Sequence, residues 1–465
     1  MATAREEMAG ETETDRVTAA MVALLEKKHK GVKAPVDVID KWTLLALEQY
    51  FESQAYLNSM LMSSSEDDAS AEGAVGESEA DEAQASAACA AKDARASIPI
   101  QALKVEDDDE GRPRQKREAR DDRGVLIYGA TGYTGRLISK ACREAGLDVT
   151  VAGRNAASVR ALALELGAPS VAFSLDNEAA LDEAVGRAAV VVHCAGPFAQ
   201  TYSAVVESCL RKGAHYVDIN GEIEVIEAIS KYAQEAEEKG LMLLPAAGFD
   251  VVPSDTLAHL VAERFKSCYP AHFPSKLEIF FHYNDQGALI SRGTKNVMKG
   301  GKRGVYYERQ DGKVVEIPAK PTPLKERKRC DYGRGLGLTV KQANMADVSS
   351  AYFSTGIPNI KCFMSDIASM RQLRCVLAKD QTDGPDAAEN EEGKSFLFAT
   401  VSSDGKSHRH VSGSLACPAP YKITYVAVVW ILQEILQENF KAGFCTPALA
   451  YGDALVGACG MKHDL

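Results

Sequence analysis

The stretch Gly124-Val125-Leu126-Ile127-Tyr128-Gly129-Ala130-Thr131-Gly132-Tyr133-Thr134-Gly135 decides how the rest of the chain is read. Residues 125–128 are a short apolar run, the pattern of a buried strand. Three glycines at regular spacing follow, and then a helical pattern through Leu137, Ile138, Ala141 and Cys142. A strand that feeds a glycine-rich turn and then a helix makes a phosphate cradle. The turn lets a diphosphate approach the backbone, and the helix N-terminus offers unpaired N–H groups and a partial positive charge. In this reading Gly129 permits the tight turn, Gly132 admits the diphosphate and Gly135 lets helix and strand pack closely. Thr131, Tyr133 and Thr134 line the same loop.

Outward from this loop, strand patterns recur at residues 149–152, 171–173, 189–193, 215–219 and 241–244, with helical patterns between them. Such alternation predicts an α/β fold with a doubly wound parallel Rossmann sheet. Ligands of these sheets lie beyond the C-terminal ends of the strands. The second strand runs into Gly153-Arg154-Asn155. A site that prefers NAD places Asp or Glu there, whereas Arg154 can pair with a 2′-phosphate through two N–H donors. NADP is therefore expected over NAD, unless Arg154 only caps the sheet edge. The fourth strand runs into Cys194-Ala195-Gly196-Pro197-Phe198, which sets the backbone of Ala195, Gly196 and Pro197 against the cofactor or forms a plain strand-to-helix turn. Tyr216, Asp218 and Glu222 end the fifth strand and are candidate proton donors. The alternatives are core packing for Tyr216 and helix capping for the two acids. Asp250 and Asp255 are similar candidates, and Ser254 or Asp255 is expected to cap a helix beginning near Thr256. None of the sixteen tyrosines has lysine four residues later, so the Tyr/Lys pair of the short-chain dehydrogenases is absent.

Beyond Pro253 the alternation stops. Strand-like runs at 276–282, 306–317, 360–364, 395–401 and 408–413 predict a mostly antiparallel α+β domain, and 448–459 reads as a final helix returning to the first domain. The apolar run from Ile423 to Leu432 is too short to span a bilayer, which takes about 20 residues, so it reads as a core helix or an interfacial segment.

The set GATGYTG (129–135), AGR (152–154), CAGPF (194–198), HYVDINGE (215–222) and AAGFDVVPSD (246–255) resembles the saccharopine dehydrogenase-like oxidoreductases, a family that includes trans-acting enoyl reductases. The later segments 347–350, 355–359 and 443–448 resemble it too. The likeness runs from about Arg123 to the C-terminus and is weaker over 370–410. It implies an NADP-binding Rossmann domain, a second domain carrying the substrate face, and reduction of a hydrophobic or lipid-linked carbonyl or enoyl compound. Saccharopine-forming enzymes have a DPG-like turn where this chain reads Phe249-Asp250-Val251-Val252-Pro253, which makes an amino-acid substrate the weaker alternative. A non-catalytic dinucleotide-binding scaffold at a lipid-droplet or membrane surface is the other alternative.

The chain has 465 residues and a net charge of −12, yet residues 1–123 alone hold 16 Lys and Arg against 27 Asp and Glu. The remainder is nearly neutral, which argues against a nucleic-acid partner. Residues 1–62 read as a helical extension, and 63–122, acidic and then basic, as a disordered linker. The domains that follow are placed at 123–252 (Rossmann), 253–440 (α+β, substrate and dimerisation) and 441–465 (C-terminal helix). Eleven scattered cysteines without a CxxC pair read as reduced, buried thiols, and the nine dispersed histidines give no metal site. The acidic N-terminus does not resemble a targeting peptide, so a cytoplasmic protein, possible as a homodimer, is expected. Residues 292–334 carry 13 Lys and Arg against 5 Asp and Glu, a surface suited to peripheral contact with anionic lipid or simply a solvated loop.

Overall fold

The computed structural model describes residues 123–283, 304–319, 328–331, 337–365, 394–404 and 408–465. The helical extension and linker expected before Arg123 lie outside these residues, as does most of the basic stretch 292–334.

The first sheet follows the alternation read from the sequence. It comprises β1 (Gly124–Tyr128), β2 (Val149–Gly153), β3 (Ser170–Ala172), β4 (Ala188–His193), β5 (His215–Asp218), β6 (Met242–Leu244) and a late strand β15 (Gly443–Phe444). Its order is β15-β6-β5-β4-β1-β2-β3, and every pairing is parallel. The connecting helices are α1 (Tyr133–Glu144), α2 (Ala156–Leu166), α3 (Glu178–Val185), α4 (Tyr202–Lys212), α5 (Ile223–Ile229) and α6 (Ala233–Glu238). Local chemistry sets their ends. Asn155 caps α2 by accepting from the Ser158 N–H, and Asn177 caps α3 by accepting from Ala180. The strand order reverses between β1 and β4, which opens a crevice at their C-terminal ends.

The second sheet runs β10-β11-β12-β7-β13-β14-β16, with the β8–β9 hairpin joined to β12. Its strands are β7 (Lys276–Tyr283), β8 (Val305–Gln310), β9 (Lys313–Pro318), β10 (Arg329–Asp331), β11 (Gly337–Gln342), β12 (Asn359–Ser365), β13 (Lys394–Ser402), β14 (His410–Pro418) and β16 (Lys462–Asp464). All pairings are antiparallel except β7 with β12. The helices α7 (Val252–Cys268) and α8 (Asp347–Thr355) pack beneath it around Leu277, Ile279, Leu397 and Val401.

Helix α9 (Pro420–Leu436) holds the apolar run noted above, and it is a core helix. Ile423 and Ala427 join the core under the second sheet, while Val428, Ile431, Leu432 and Ile435 join the core of the first. Each buried Val, Leu or Ile contributes about 1.5–3 kcal/mol, so one helix ties both halves together.

Four local expectations are corrected. The run 306–317 is two strands, because Asp311 and Gly312 at φ 48° and 76° form a tight reversal. The segment 448–459 is not one helix returning to the first domain. Gly452, at φ 55° and ψ −131°, divides it into α10 (Pro447–Tyr451) and α11 (Ala454–Ala458), and the chain ends on the second sheet. Helix α7 starts four residues before Thr256, with proline in its first turn, and the Ser254 hydroxyl donates back to the Val251 carbonyl rather than capping. Among the described residues, eight cysteines are free thiols as expected, but Cys268 is disulfide-bonded.

Candidate cofactor and substrate site

The three glycines of the loop do different work. Gly129 stands at φ 84°, and a Cβ there would come within 2.7 Å of the Cys194 carbonyl carbon and 2.8 Å of the Ala195 nitrogen. The loops after β1 and β4 therefore touch at this point. A Cβ on Gly135 would overlap the Gly129 carbonyl oxygen. Gly132 differs: its backbone is ordinary and extended (φ −71°, ψ 163°), and the nearest atom to a Cβ would be the Gly129 oxygen at 3.3 Å. A Cβ here would need that oxygen to give by only a few tenths of an ångström, so the packing demand for glycine is weaker than at Gly129 or Gly135. Among the described residues beyond its chain neighbours, no other atom lies within 4 Å of such a Cβ, and the glycine stands directly before α1, whose N-terminus has no side-chain cap and no acid in its first turn. The first N–H groups of such a terminus lack intrahelical partners.

Arg154, one residue beyond β2, is exposed and makes no hydrogen bond or ion pair among the described residues. It lies close enough to Tyr128 to oppose the rise that burial imposes on that hydroxyl's pKa. Thr131 neighbours the end of β2, its hydroxyl 3.8 Å from where a Cβ on Gly153 would stand. The open cradle, the uncapped helix and the uncommitted guanidinium fit a dinucleotide with a 2′-phosphate. Gly129 to Gly135 would hold the diphosphate, and Arg154 the 2′-phosphate.

Across the crevice, Ala195 is half-buried, and Gly196 and Pro197 are exposed. Thr201 ties this loop down, donating to the Ala195 carbonyl at 2.8 Å while its oxygen meets His193 Nε2 at 2.9 Å. With that hydroxyl proton spent on Ala195, His193 Nε2 must be the protonated nitrogen and Nδ1 has no partner. Burial lowers the His193 pKa to about 3, so the ring stays neutral.

The three sequence candidates for a proton donor are drawn together, but not toward open space. Tyr216 is fully buried and donates to Asp218 Oδ2 at 2.7 Å. Asp218 is also fully buried. Its Oδ1 accepts from the Asn220 N–H, Asn220 Nδ2 and the Ala246 N–H at 2.7–2.9 Å. Burial raises both pKa values, and the hydrogen bonds to Asp218 oppose its rise. Both side chains are enclosed and hydrogen-bonded to each other and to the loops around them. Glu222 accepts from the N–H groups of Phe198 (2.9 Å) and Ala199 (3.0 Å), so it caps the turn after Pro197 and not its own helix.

These contacts close into a ring around the C-terminal edge of the first sheet. Gly129 abuts Cys194 and Ala195. Glu222 holds Phe198 and Ala199, and neighbouring Gly221 abuts Asp250. Phe249 N–H donates to Thr424 Oγ1 at 3.0 Å, and the Tyr421 ring meets Tyr133 edge-on at 4.9 Å. Asp250 in this ring is exposed. The sequence names it only among secondary candidates and does not single out Asp347, which is fully buried. An acid inside an otherwise apolar segment is the signal that could have found both. Among the described residues, no group of three or more His, Cys, Asp or Glu side chains could hold a metal ion.

Residues 125–244 match the saccharopine dehydrogenase NADP binding domain. The chain is 30% identical over 235 residues to the saccharopine dehydrogenase-like oxidoreductase of Homo sapiens, covering 46% of this chain and 54% of that protein. It is 31% identical over 148 residues to a trans-acting enoyl reductase of Mycobacterium ulcerans (strain Agy99), covering 30% and 35%. It is 32% identical over 156 residues to a lipid droplet localized protein of Caenorhabditis elegans, covering 30% and 36%. The match thus spans about half the length, or less, of these relatives. The solved apo saccharopine dehydrogenase (L-Glu forming) of Saccharomyces cerevisiae shares the fold, with a TM-score of 0.50 at 12% identity over 74% of this chain and 99% of that one. The order of the parallel strands, the glycine cradle with its free arginine and these similarities converge: the chain carries an NADP-binding Rossmann domain that matches the NADP binding domain of saccharopine dehydrogenase, and over about half its length it is similar to saccharopine dehydrogenase-like oxidoreductases.

Proposed function

We propose that the protein is an NADPH-dependent reductase of a hydrophobic, lipid-linked carbonyl or enoyl compound. The observation that carries this reading is the uncapped helix N-terminus that opens at Gly132, with Arg154 uncommitted beyond the neighbouring strand. In this reading Gly129, Thr131, Gly132, Tyr133, Thr134 and Gly135 hold the diphosphate. Arg154 selects the 2′-phosphate, and Ala195, Gly196 and Pro197 border the ribose by backbone. Bound NADPH supplies a hydride, and the chain's task is to position it and exclude water. The enoyl reductase and lipid-droplet names of two relatives support a lipid-like substrate and a peripheral place at a lipid surface.

A second reading, a dinucleotide-binding scaffold without turnover, draws on the enclosure of Tyr216 and Asp218, which removes the most obvious acid pair from reach of substrate. The test is titration of purified protein with NADPH, followed by NADPH oxidation in the presence of a neutral lipid extract. Binding with oxidation supports the reductase. Tight binding without oxidation supports the scaffold, and absence of binding overturns both.

A further inference from the structure

Reduction of a carbonyl or enoyl group needs a proton as well as a hydride, and the enclosed Tyr216 and Asp218 cannot present one. The loop between β6 and α7 can. Ala246 in this loop sits at φ 61°, a left-handed conformation that strains a non-glycine residue. It is held there from below. The Ala246 N–H donates to Asp218 Oδ1 at 2.8 Å, and the Ala247 N–H donates to the Asp218 carbonyl at 2.7 Å. Strain maintained by a saturated, buried acid fixes the residues that follow.

One of those residues is Asp250. Its carboxylate lies against Gly221, where a Cβ would stand only 2.7 Å from Oδ2, so glycine is what lets the acid occupy this position. The neighbouring Phe249 N–H is anchored to Thr424 on α9. Asp250 thus sits in the ring of contacts at the C-terminal edge of the parallel sheet, where substrates of this architecture meet the cofactor. It is exposed and makes no hydrogen bond or ion pair among the described residues. Glu222 in the same ring is committed to two backbone N–H groups.

On the reductase reading above, we infer that Asp250 is the catalytic acid that protonates the substrate, and that Asp218 is the positioning residue that holds its loop. For a carbonyl substrate the C=O π bond breaks as carbon takes the hydride and oxygen takes the Asp250 proton. For an enoyl substrate the β-carbon takes the hydride and the α-carbon the proton. NADP+ and the Asp250 carboxylate remain, and the exposed carboxylate regains its proton from water. The surroundings suit the role. Although solvent reaches Asp250, crowding protein raises its carboxyl above the ordinary carboxylate range. The other acids nearby are Asp255 on α7 and Asp347 on α8. Both are fully buried, and Asp250 and Asp255 add like charge to the burial that already raises Asp347.

The experiment uses the full chain, NADPH and trans-2-hexadecenal, a probe that carries both a carbonyl and an enoyl group. Asp250→Asn preserves size and is expected to lower kcat by about 10²–10⁴-fold while NADPH affinity stays within twofold. It should also remove the fall in wild-type rate as pH rises through the pKa of the acid. Gly221→Ala, which displaces the carboxylate without removing it, should lower kcat and leave NADPH binding intact. A readout independent of turnover is carboxyl ¹³C NMR of aspartate-labelled protein. The signal missing from Asp250→Asn should titrate above an ordinary aspartate in the wild type. An ordinary titration, or Asp250→Asn turning over at the wild-type rate at every pH, overturns the assignment and leaves the reductase reading standing. A wild-type chain that binds NADPH and reduces no hexadecenal overturns the reductase reading, and the donor with it.

Discussion

Gly135 and Gly129 are packed so closely that a Cβ on the first would overlap the carbonyl oxygen of the second and reach within 3.0 Å of Ala130 Cα. Gly132, between them, has no such neighbour. The two positions therefore separate folding from binding. Gly135→Ala forces helix and loop apart and should cost about 1–3 kcal/mol, seen as a fall of several degrees in Tm. Gly132→Val should leave Tm nearly unchanged and abolish NADPH binding by filling the cradle. Calorimetric titration beside thermal melts checks both, and unchanged affinity in Gly132→Val would remove the cofactor assignment.

Arg154→Ala should weaken NADPH by about 10- to 100-fold, the usual effect of losing a charge-assisted bidentate contact, and leave NADH almost unaffected. Parallel titrations with the two cofactors decide this. Equal losses would mean that Arg154 supports the sheet edge and does not read the phosphate.

Glu222 serves the Phe198–Gln200 turn through two backbone hydrogen bonds. Glu222→Ala should destabilise the chain by about 1–3 kcal/mol, because the N–H groups of Phe198 and Ala199 lose a charged acceptor. Amide exchange at those two positions should accelerate while exchange in β4 does not. Uniform acceleration would point to global unfolding instead.

Asp347 sets a pH dependence of known sign. Burial, with Asp255 and Asp250 adding like charge, places its folded pKa well above that of the unfolded chain. The folded state then holds a proton that the unfolded state releases, so stability is full below the unfolded value of about 3.9 and falls as pH rises toward the folded one. Asp347→Asn should therefore gain stability relative to wild type between pH 5 and pH 8. Chemical denaturation at both values measures the gain, and a constant difference would show that Asp347 does not titrate in that window.

Contact with lipid is tested by vesicle flotation. Arg327 lies outside the described residues. Lys328 is ion-paired with Glu278 and stands 5.2 Å over the rings of Phe280 and Phe363, and Arg329 opens β10. Each basic group near an anionic surface contributes about 1 kcal/mol and fades within a Debye length. The chain should float with anionic but not neutral vesicles. Flotation should be lost at high salt and on charge reversal of Arg327, Lys328 and Arg329. No flotation at low salt would leave the basic run a solvated loop.

The first sheet was legible because each buried parallel strand is a continuous apolar run and each crossover a helical period, so 125–128 and 189–193 announced themselves. The Asp311-Gly312 reversal is also written in local residue types, but it lies inside a longer strand-like pattern that hides it. Arg154 and the glycines could be read because their chemistry is local. Asp218, Glu222 and Asp250 could not be assigned from spacing, since their roles depend on partners at Ala246, Phe198 and Gly221, which only the closed sheet brings together.

Helix α9 and strand β15 also govern the timing of synthesis. The first sheet receives its seventh strand, and its core the side chains of Val428, Ile431, Leu432 and Ile435, only after β7 to β14 of the second sheet have been made. Roughly 200 residues separate β6 from β15. At about 5–20 residues per second, a nascent chain spends about 10–40 s with the edge of β6 and that apolar surface uncovered. Through that interval the half-built Rossmann domain leaves a strand edge and apolar surface open to water, and a fragment ending at Val252 would leave them open permanently.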